Sequence, residues 1–88
     1  MPVTLYVLRS DDNGKRYVGI TNNLPKRLSE HFARRTKGGQ VLGLFTLLHT
    51  EVFTNYVSAR SREKFLKSTS GRRWLDELEA RAAPVPSG

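Results

Sequence analysis

The sequence predicts a small α+β fold, a sheet with helices packed against it in the order β-β-α-β-α-α. Three observations predict it. Two short runs rich in Val, Ile, Leu and Tyr, residues 4–9 and 16–21, flank a polar segment containing Asn13-Gly14. A helical apolar spacing follows the second run, and a long β-rich stretch then precedes two more helical segments.

The first two runs read as a β-hairpin, because β-branched and aromatic residues favour strands and Asn-Gly favours a tight reversal. With that reversal near Asn13-Gly14, Tyr6 and Tyr17 are expected to face each other on one side of the sheet. Asn22-Asn23-Leu24-Pro25 then reads as a helix start, with a capping Asn and a proline in the first turn. The first helix is expected over about 24–35, burying Leu24, Leu28 and Phe32 and placing Arg27 and His31 one turn apart. Gly38-Gly39 breaks it.

Residues 41–53 predict the third strand, with Gly43 marking a bend that limits the regular part to about 44–53. Its near-continuous apolarity predicts a central position covered on both faces. A second helix is expected over about 59–68, with Ser58 as N-cap and with Ala59, Arg62, Glu63 and Leu66 on one side. Ser68-Thr69-Ser70-Gly71 is expected to stop it. A third helix, about 72–82, would bury Trp74, Leu75 and Leu78. The chain is therefore expected to form one domain over residues 1–83, followed by a Pro-rich flexible tail at 84–88.

Composition narrows the function. Eighty-eight residues with a hydrophobic share of 38% and a charged share of 26% suit one small folded domain. The chain has no cysteine, so disulfides and thiolate metal sites are excluded. The run 41–48 is interrupted by Gly43 and Thr46 and is too short to span a bilayer. Met1-Pro2-Val3 has neither a basic n-region nor an apolar h-region, so no signal peptide is expected, and the cytoplasm is the expected compartment.

Charge is the more telling property. Fifteen Lys and Arg against eight Asp and Glu give a net charge of +7. Lys26, Arg27, Arg34, Arg35 and Lys37 form one basic stretch, and Arg60, Arg62, Lys64, Lys67, Arg72 and Arg73 form another. Such clustering is the footprint of phosphate-backbone binding, against the plainer reading of a solubilising surface. Glu63 stands among the cations of the second stretch. One reading is that it holds a hard divalent cation, and the other is that it pairs with Lys67 at i+4 for about 0.3–0.5 kcal/mol.

Leu5-Tyr6-Val7 followed by Tyr17-Val18-Gly19 resembles the two signature elements of the GIY-YIG nuclease family. The likeness continues through residues 22–31 and 59–68, and is strongest to short stand-alone bacterial members related to the nuclease module of the excision-repair endonuclease. It implies a three-stranded antiparallel sheet flanked by helices and hydrolysis of a phosphodiester, with a role in DNA repair among its associations. It also implies one divalent metal ion, Mg²⁺ or Mn²⁺. Carried over by motif, Tyr17 helps to activate water and Tyr6 positions water or phosphate. Arg27 neutralises the scissile phosphate, His31 belongs to the same site, and Glu63 is the metal-binding carboxylate.

The chemistry makes a demand of its own. A phenol with an ordinary pKa near 10 is only about a thousandth ionised at neutral pH, so a tyrosine base needs cations beside it. Lys15, Arg16, Lys26 and the metal are the candidates. The expected nucleic-acid-binding residues are Lys15, Arg16, Lys26, Arg34, Arg35, Lys37, Arg60, Lys64, Lys67 and Arg72. DNA is the expected partner, with RNA left open, and no membrane or disulfide partner is expected. The sequence departs from the family pattern in having Thr4-Leu5 where Gly-Ile names it. It also departs in Gly38-Gly39-Gln40-Val41-Leu42-Gly43, which replaces a polar, basic, Pro-containing segment, and in lacking a secure late asparagine.

With the nuclease-like core occupying the chain, cutting is expected to select nucleic-acid structure rather than base sequence. Two further readings stand beside the nuclease: a non-catalytic nucleic-acid-binding module of the same fold, and a protein-interaction domain for an acidic partner.

Overall fold

Strand β1 (Val3–Ser10) is the middle of a three-stranded antiparallel sheet, with β2 (Arg16–Thr21) on one side and β3 (Phe45–Phe53) on the other. The computed structural model describes residues 2–11, 13–32 and 45–82. Among the described residues three helices accompany the sheet: α1 (Leu24–Phe32), α2 (Tyr56–Lys67) and α3 (Thr69–Ala82). The order is β-β-α-β-α-α, as predicted. Arg34, Arg35, Lys37, the 38–43 segment, the last residues expected for the first helix and the 84–88 tail lie outside the described residues.

The hairpin closes where Asn13-Gly14 predicts. Gly14 takes a φ of 72°, a left-handed conformation that glycine adopts without a Cβ clash. Ser10 N–H donates to the Lys15 carbonyl at 2.8 Å, and Lys15 N–H donates to the Asn13 side chain at 2.9 Å.

Alternation along β1 builds a core on each face of the sheet. Leu5 and Val7 point to the side of α2 and α3, joining Val18, Leu66 and Leu75. Tyr6 and Leu8 point to the other side, joining Phe45 with Tyr17, Leu24 and Leu28 packed against them. Each fully buried Leu or Val contributes about 1.5–3 kcal/mol. β1 is thus the strand covered on both faces. The third strand, expected in that place, lies at an edge of the described sheet, with Leu47 41% and Val52 69% exposed. Its apolar run exceeds what the helices cover.

Two helix starts also differ from expectation. α2 begins at Tyr56 with Asn55 as its cap, and the Asn55 side chain accepts from Ser58 N–H at 2.9 Å. Ser58 is therefore inside the helix. α3 begins at Thr69, directly after a one-residue break. Ser68 N–H donates to the Phe65 carbonyl at 3.0 Å, closing α2, while Ser68 Oγ accepts from Gly71 N–H at 3.2 Å, opening α3. A Cβ at Gly71 would collide with the Phe65 carbonyl, so glycine permits this sharp corner.

Ion pairs tie the helices to the strands. Arg16 bonds Asp76 and Glu79 of α3, and Arg9 meets Glu79 at 3.0 Å. Arg62 of α2 meets Glu51 of β3 at 3.0 Å and stacks over Trp74 of α3 at 4.7 Å. Among the described residues, no helix is long and apolar enough to cross a membrane.

Candidate active site

The register sets the relation of the two tyrosines. Leu8 lies opposite Tyr17, and Tyr6 lies opposite Gly19. Tyr6 and Tyr17 are therefore diagonal neighbours on one face rather than direct partners, with ring centroids 6.1 Å apart. Gly19 makes this possible, since a Cβ there would lie 2.5 Å from the Tyr6 hydroxyl oxygen. An interior strand glycine marks close approach, here by a ring.

Tyr6 is buried, at 1% exposure. Burial pushes its phenol well above the ordinary value of 10, the neighbouring Tyr17 adds to the rise, and Arg27 opposes it. Hydrogen bonding with the Tyr17 hydroxyl raises it further.

Helix α1 brings the next two groups over the same face. Asn23 caps it, its side chain accepting from Lys26 N–H at 3.2 Å. Leu24 and Leu28 pack on the Tyr6 cluster, which turns His31 inward. The His31 ring is 5.2 Å from Tyr17, 6.1 Å from Tyr6 and 5.6 Å from Phe45. Burial, then the Arg27 charge, lowers its pKa below the ordinary 6.5, with Glu30 opposing, so the ring is neutral at neutral pH. Arg27 is half-exposed and meets Glu30 at 3.4 Å, a pair worth a few tenths of a kcal/mol that leaves the guanidinium free to change partners. Tyr6, Tyr17, His31 and Arg27 are thus brought together.

Glu63 belongs to helix α2, which packs on the opposite face of the sheet from the Tyr6–His31 cluster. Helix α2 packs on β2 and β1, and Glu63 Oε2 accepts from Lys67 Nζ at 3.1 Å. Lys67 lines an open cleft of about 410 Å³ along the edge of β2, together with Lys15, Arg16, Tyr17 and Arg72, over a floor of Val18, Leu66 and Leu75. Tyr17 is thus shared by the cleft and by the Tyr6–His31 cluster. The expected i,i+4 pair of Glu63 and Lys67 is present, with the carboxylate mostly covered and the ammonium exposed.

The expected cations divide into two groups. Arg16 is at the cleft but is held by Asp76 and Glu79, partners about sixty residues away that no motif in the sequence singles out. Lys15, Lys26, Arg60, Lys64, Lys67 and Arg72 are exposed, with Lys15, Lys67 and Arg72 along the cleft. Among the described residues, no group of three His, Asp or Glu is placed to enclose a metal ion.

The fold is a small α+β domain with two tyrosines and a histidine gathered on one face of its sheet. A family model described as the GIY-YIG catalytic domain matches residues 2–76. The chain belongs to the GIY-YIG family, a family of nucleases. It is also similar to the solution NMR structure of a UPF0213 protein from Bacillus halodurans, at 26% identity and a TM-score of 0.57, over 96% of this chain and 89% of that one. No protein of curated function matches it.

Proposed function

We propose that this chain is a metal-dependent endonuclease that hydrolyses phosphodiester bonds in DNA, selecting its substrate by structure rather than by base sequence. The observation that carries this is the convergence of Tyr6, Tyr17 and His31 on one sheet face with Arg27 beside them. Membership of a nuclease family supports it.

Each group has a part that its surroundings suit. Arg27, half-exposed and weakly paired, exchanges Glu30 for two oxygens of the scissile phosphate through its planar fork. Tyr17, at the cleft, first releases its phenol proton to solvent, and its phenolate then accepts the proton of the attacking water. Tyr6 is buried and does not reach substrate; it is a positioning residue whose hydroxyl donates to the Tyr17 oxygen, favouring and orienting the phenolate before it takes up the proton. His31, neutral and packed against both rings, fixes their orientation. Lys15 adds positive charge beside Tyr17.

The donor set fits a hard cation. Glu63 offers one carboxylate, and Mg²⁺ or Mn²⁺ is commonly held by one or two carboxylates plus water and phosphate oxygens. Zinc would need three or four closed ligands, which the described His, Asp and Glu residues do not assemble. Glu63 would exchange Lys67 for the metal, and that pair is worth only about 0.3–0.5 kcal/mol. The metal supplies Lewis-acid stabilisation of the phosphate charge.

Structural rather than base selectivity follows from the side chains available. Lys15, Lys26, Arg27 and Arg72 are suited to phosphates, and phosphate contacts orient a duplex without reading its sequence.

A nicking assay on supercoiled plasmid tests the proposal. Conversion to open circles in Mg²⁺ or Mn²⁺, abolished by EDTA and by Glu63→Ala, is expected. Plasmid that is bound but never cut in either metal would leave the chain a nucleic-acid-binding module.

A further inference from the structure

The outward side of α2 carries a feature that phosphate neutralisation at the cleft does not use. Tyr56, Arg60 and Lys64 recur every fourth residue, so they form one line along the helix. They border a shallow depression that also includes Val57 and Ser61. Tyr56 is 47% exposed and Val57 is 81% exposed, the largest apolar exposure on this helix. Arg9, Arg16, Arg27, Arg62 and Lys67 all have carboxylate partners. Arg60 and Lys64 have none among the described residues, so their charge is open to an anion. At the far end of the same helix, Lys67 lines the cleft that contains Tyr17.

An exposed aromatic ring followed by two uncommitted cations is the pairing that holds single-stranded nucleic acid. The cations take phosphates, and the ring takes the face of a base that has no stacking neighbour. Duplex offers phosphates to Arg60 and Lys64 but hides its base faces, so Tyr56 adds nothing there. An acidic protein segment would use the cations and leave the tyrosine idle. We propose that this face of α2 is a track for a single strand, with Tyr56 stacking an unpaired base and Arg60 and Lys64 holding the adjoining phosphates. The track leads the strand toward Lys67 and the Tyr17 cleft. It deepens the nuclease reading, on which its direction toward the cleft rests, by naming the substrate class: nucleic acid with an unpaired stretch beside the cut.

The test is fluorescence anisotropy with the full chain in EDTA, comparing a labelled oligothymidylate with a blunt duplex of equal length. Tyr56→Ala is expected to weaken oligothymidylate binding roughly 5- to 150-fold, while duplex binding changes less than about twofold and Tyr56→Phe binds both as the unchanged chain does. The half-exposed position lets the variant fold, which circular dichroism verifies. Equal losses on both ligands, or none on oligothymidylate, would overturn the track. So would tighter binding of polyglutamate than of oligothymidylate at the same salt. Plasmid nicking separates the two readings. A chain that never nicks yet loses oligothymidylate on Tyr56→Ala keeps the track and loses the nuclease. A chain that nicks while Tyr56→Ala leaves oligothymidylate binding unmoved loses the track alone.

Discussion

The Tyr6 ring lies across Gly19, its cross-strand partner, so closely that a Cβ at position 19 would sit 2.5 Å from the phenol oxygen and 2.6 Å from the ring carbon that bears it. The glycine of the second signature element is thus the seat of the tyrosine of the first. Gly19→Ala must push Tyr6 out of its buried position or move β2. Overpacking of this kind costs about 1–3 kcal/mol. Thermal denaturation should show Tm lower by several degrees, since about 1 kcal/mol shifts a domain of this size by 4–8 °C. An unchanged Tm would mean that the ring is not held there.

Tyr6→Phe keeps the ring and removes only the hydroxyl that hydrogen-bonds with Tyr17. Stability should change little, because Tyr17 lines the open cleft, where its hydroxyl can turn to solvent instead. Plasmid cleavage should fall about tenfold, because losing a hydrogen bond of about 1.4 kcal/mol to the phenolate lowers the share of the active base by that factor. Cleavage at the full rate would remove Tyr6 from any positioning role.

Much of this arrangement is legible in the sequence, and the exceptions have physical causes. The hairpin, the Asn-Gly reversal and the first helix carry local signals, so Tyr6, Tyr17, Arg27 and His31 fall together from short-range rules. The start of α2 is obscured because Tyr56-Val57 are poor helix formers, and Asn55 supplies the cap in spite of them. The start of α3 is obscured because Ser68-Thr69-Ser70-Gly71 reads as a break, whereas Ser68 both ends one helix and begins the next. Strand order is hidden because apolarity alone does not separate a covered strand from an edge: β3 carries a long apolar run yet keeps Leu47 and Val52 exposed. The tie of Arg16 to Asp76 and Glu79 is long-range, and no local pattern announces it.

His31 should make stability depend on pH. Its folded-state pKa is lowered, mainly by burial and then by Arg27, so the unfolded chain binds the proton more readily. The stabilisation is present above the ordinary value of 6.5 and is lost as pH falls from there toward the lowered folded value. Urea midpoints measured from pH 8 to pH 5 should fall across that window, and the fall should be shallower in His31→Gln. Glu51, also lowered, contributes in the same direction but below its ordinary 4.5, outside the window. Parallel curves for the two chains would show that His31 is not buried as a neutral ring.

Arg62 joins three elements, bonding Glu51 of β3 from α2 while its guanidinium lies over Trp74 of α3 at 4.7 Å and over Phe65 at 5.0 Å. Glu51 also shares its Oε2 with His49 Nε2 at 2.8 Å. Arg62→Ala should cost about 2 kcal/mol, combining a charge-assisted bond with the stacking, reduced because the pair is only partly covered. Arg62→Lys should recover less than half of this, since an ammonium neither forks nor stacks. Full recovery by lysine in urea unfolding would reduce the contact to simple charge.

Glu63→Gln separates the two readings of this carboxylate most directly. As the i,i+4 partner of an exposed Lys67, it contributes only about 0.3–0.5 kcal/mol, so the variant should fold and melt almost unchanged. As the metal ligand of the proposed nuclease, it is required, because a neutral amide cannot replace the charge that holds Mg²⁺ or Mn²⁺. Cleavage should then vanish at ordinary metal concentrations while affinity for duplex in EDTA is kept or slightly raised, since Lys67 loses its partner and faces the cleft with its full charge. Isothermal titration with Mn²⁺ alone should show a weak site in the unchanged chain and none in the variant. Cleavage and Mn²⁺ binding that both survive Glu63→Gln would return this residue to an ordinary helix ion pair.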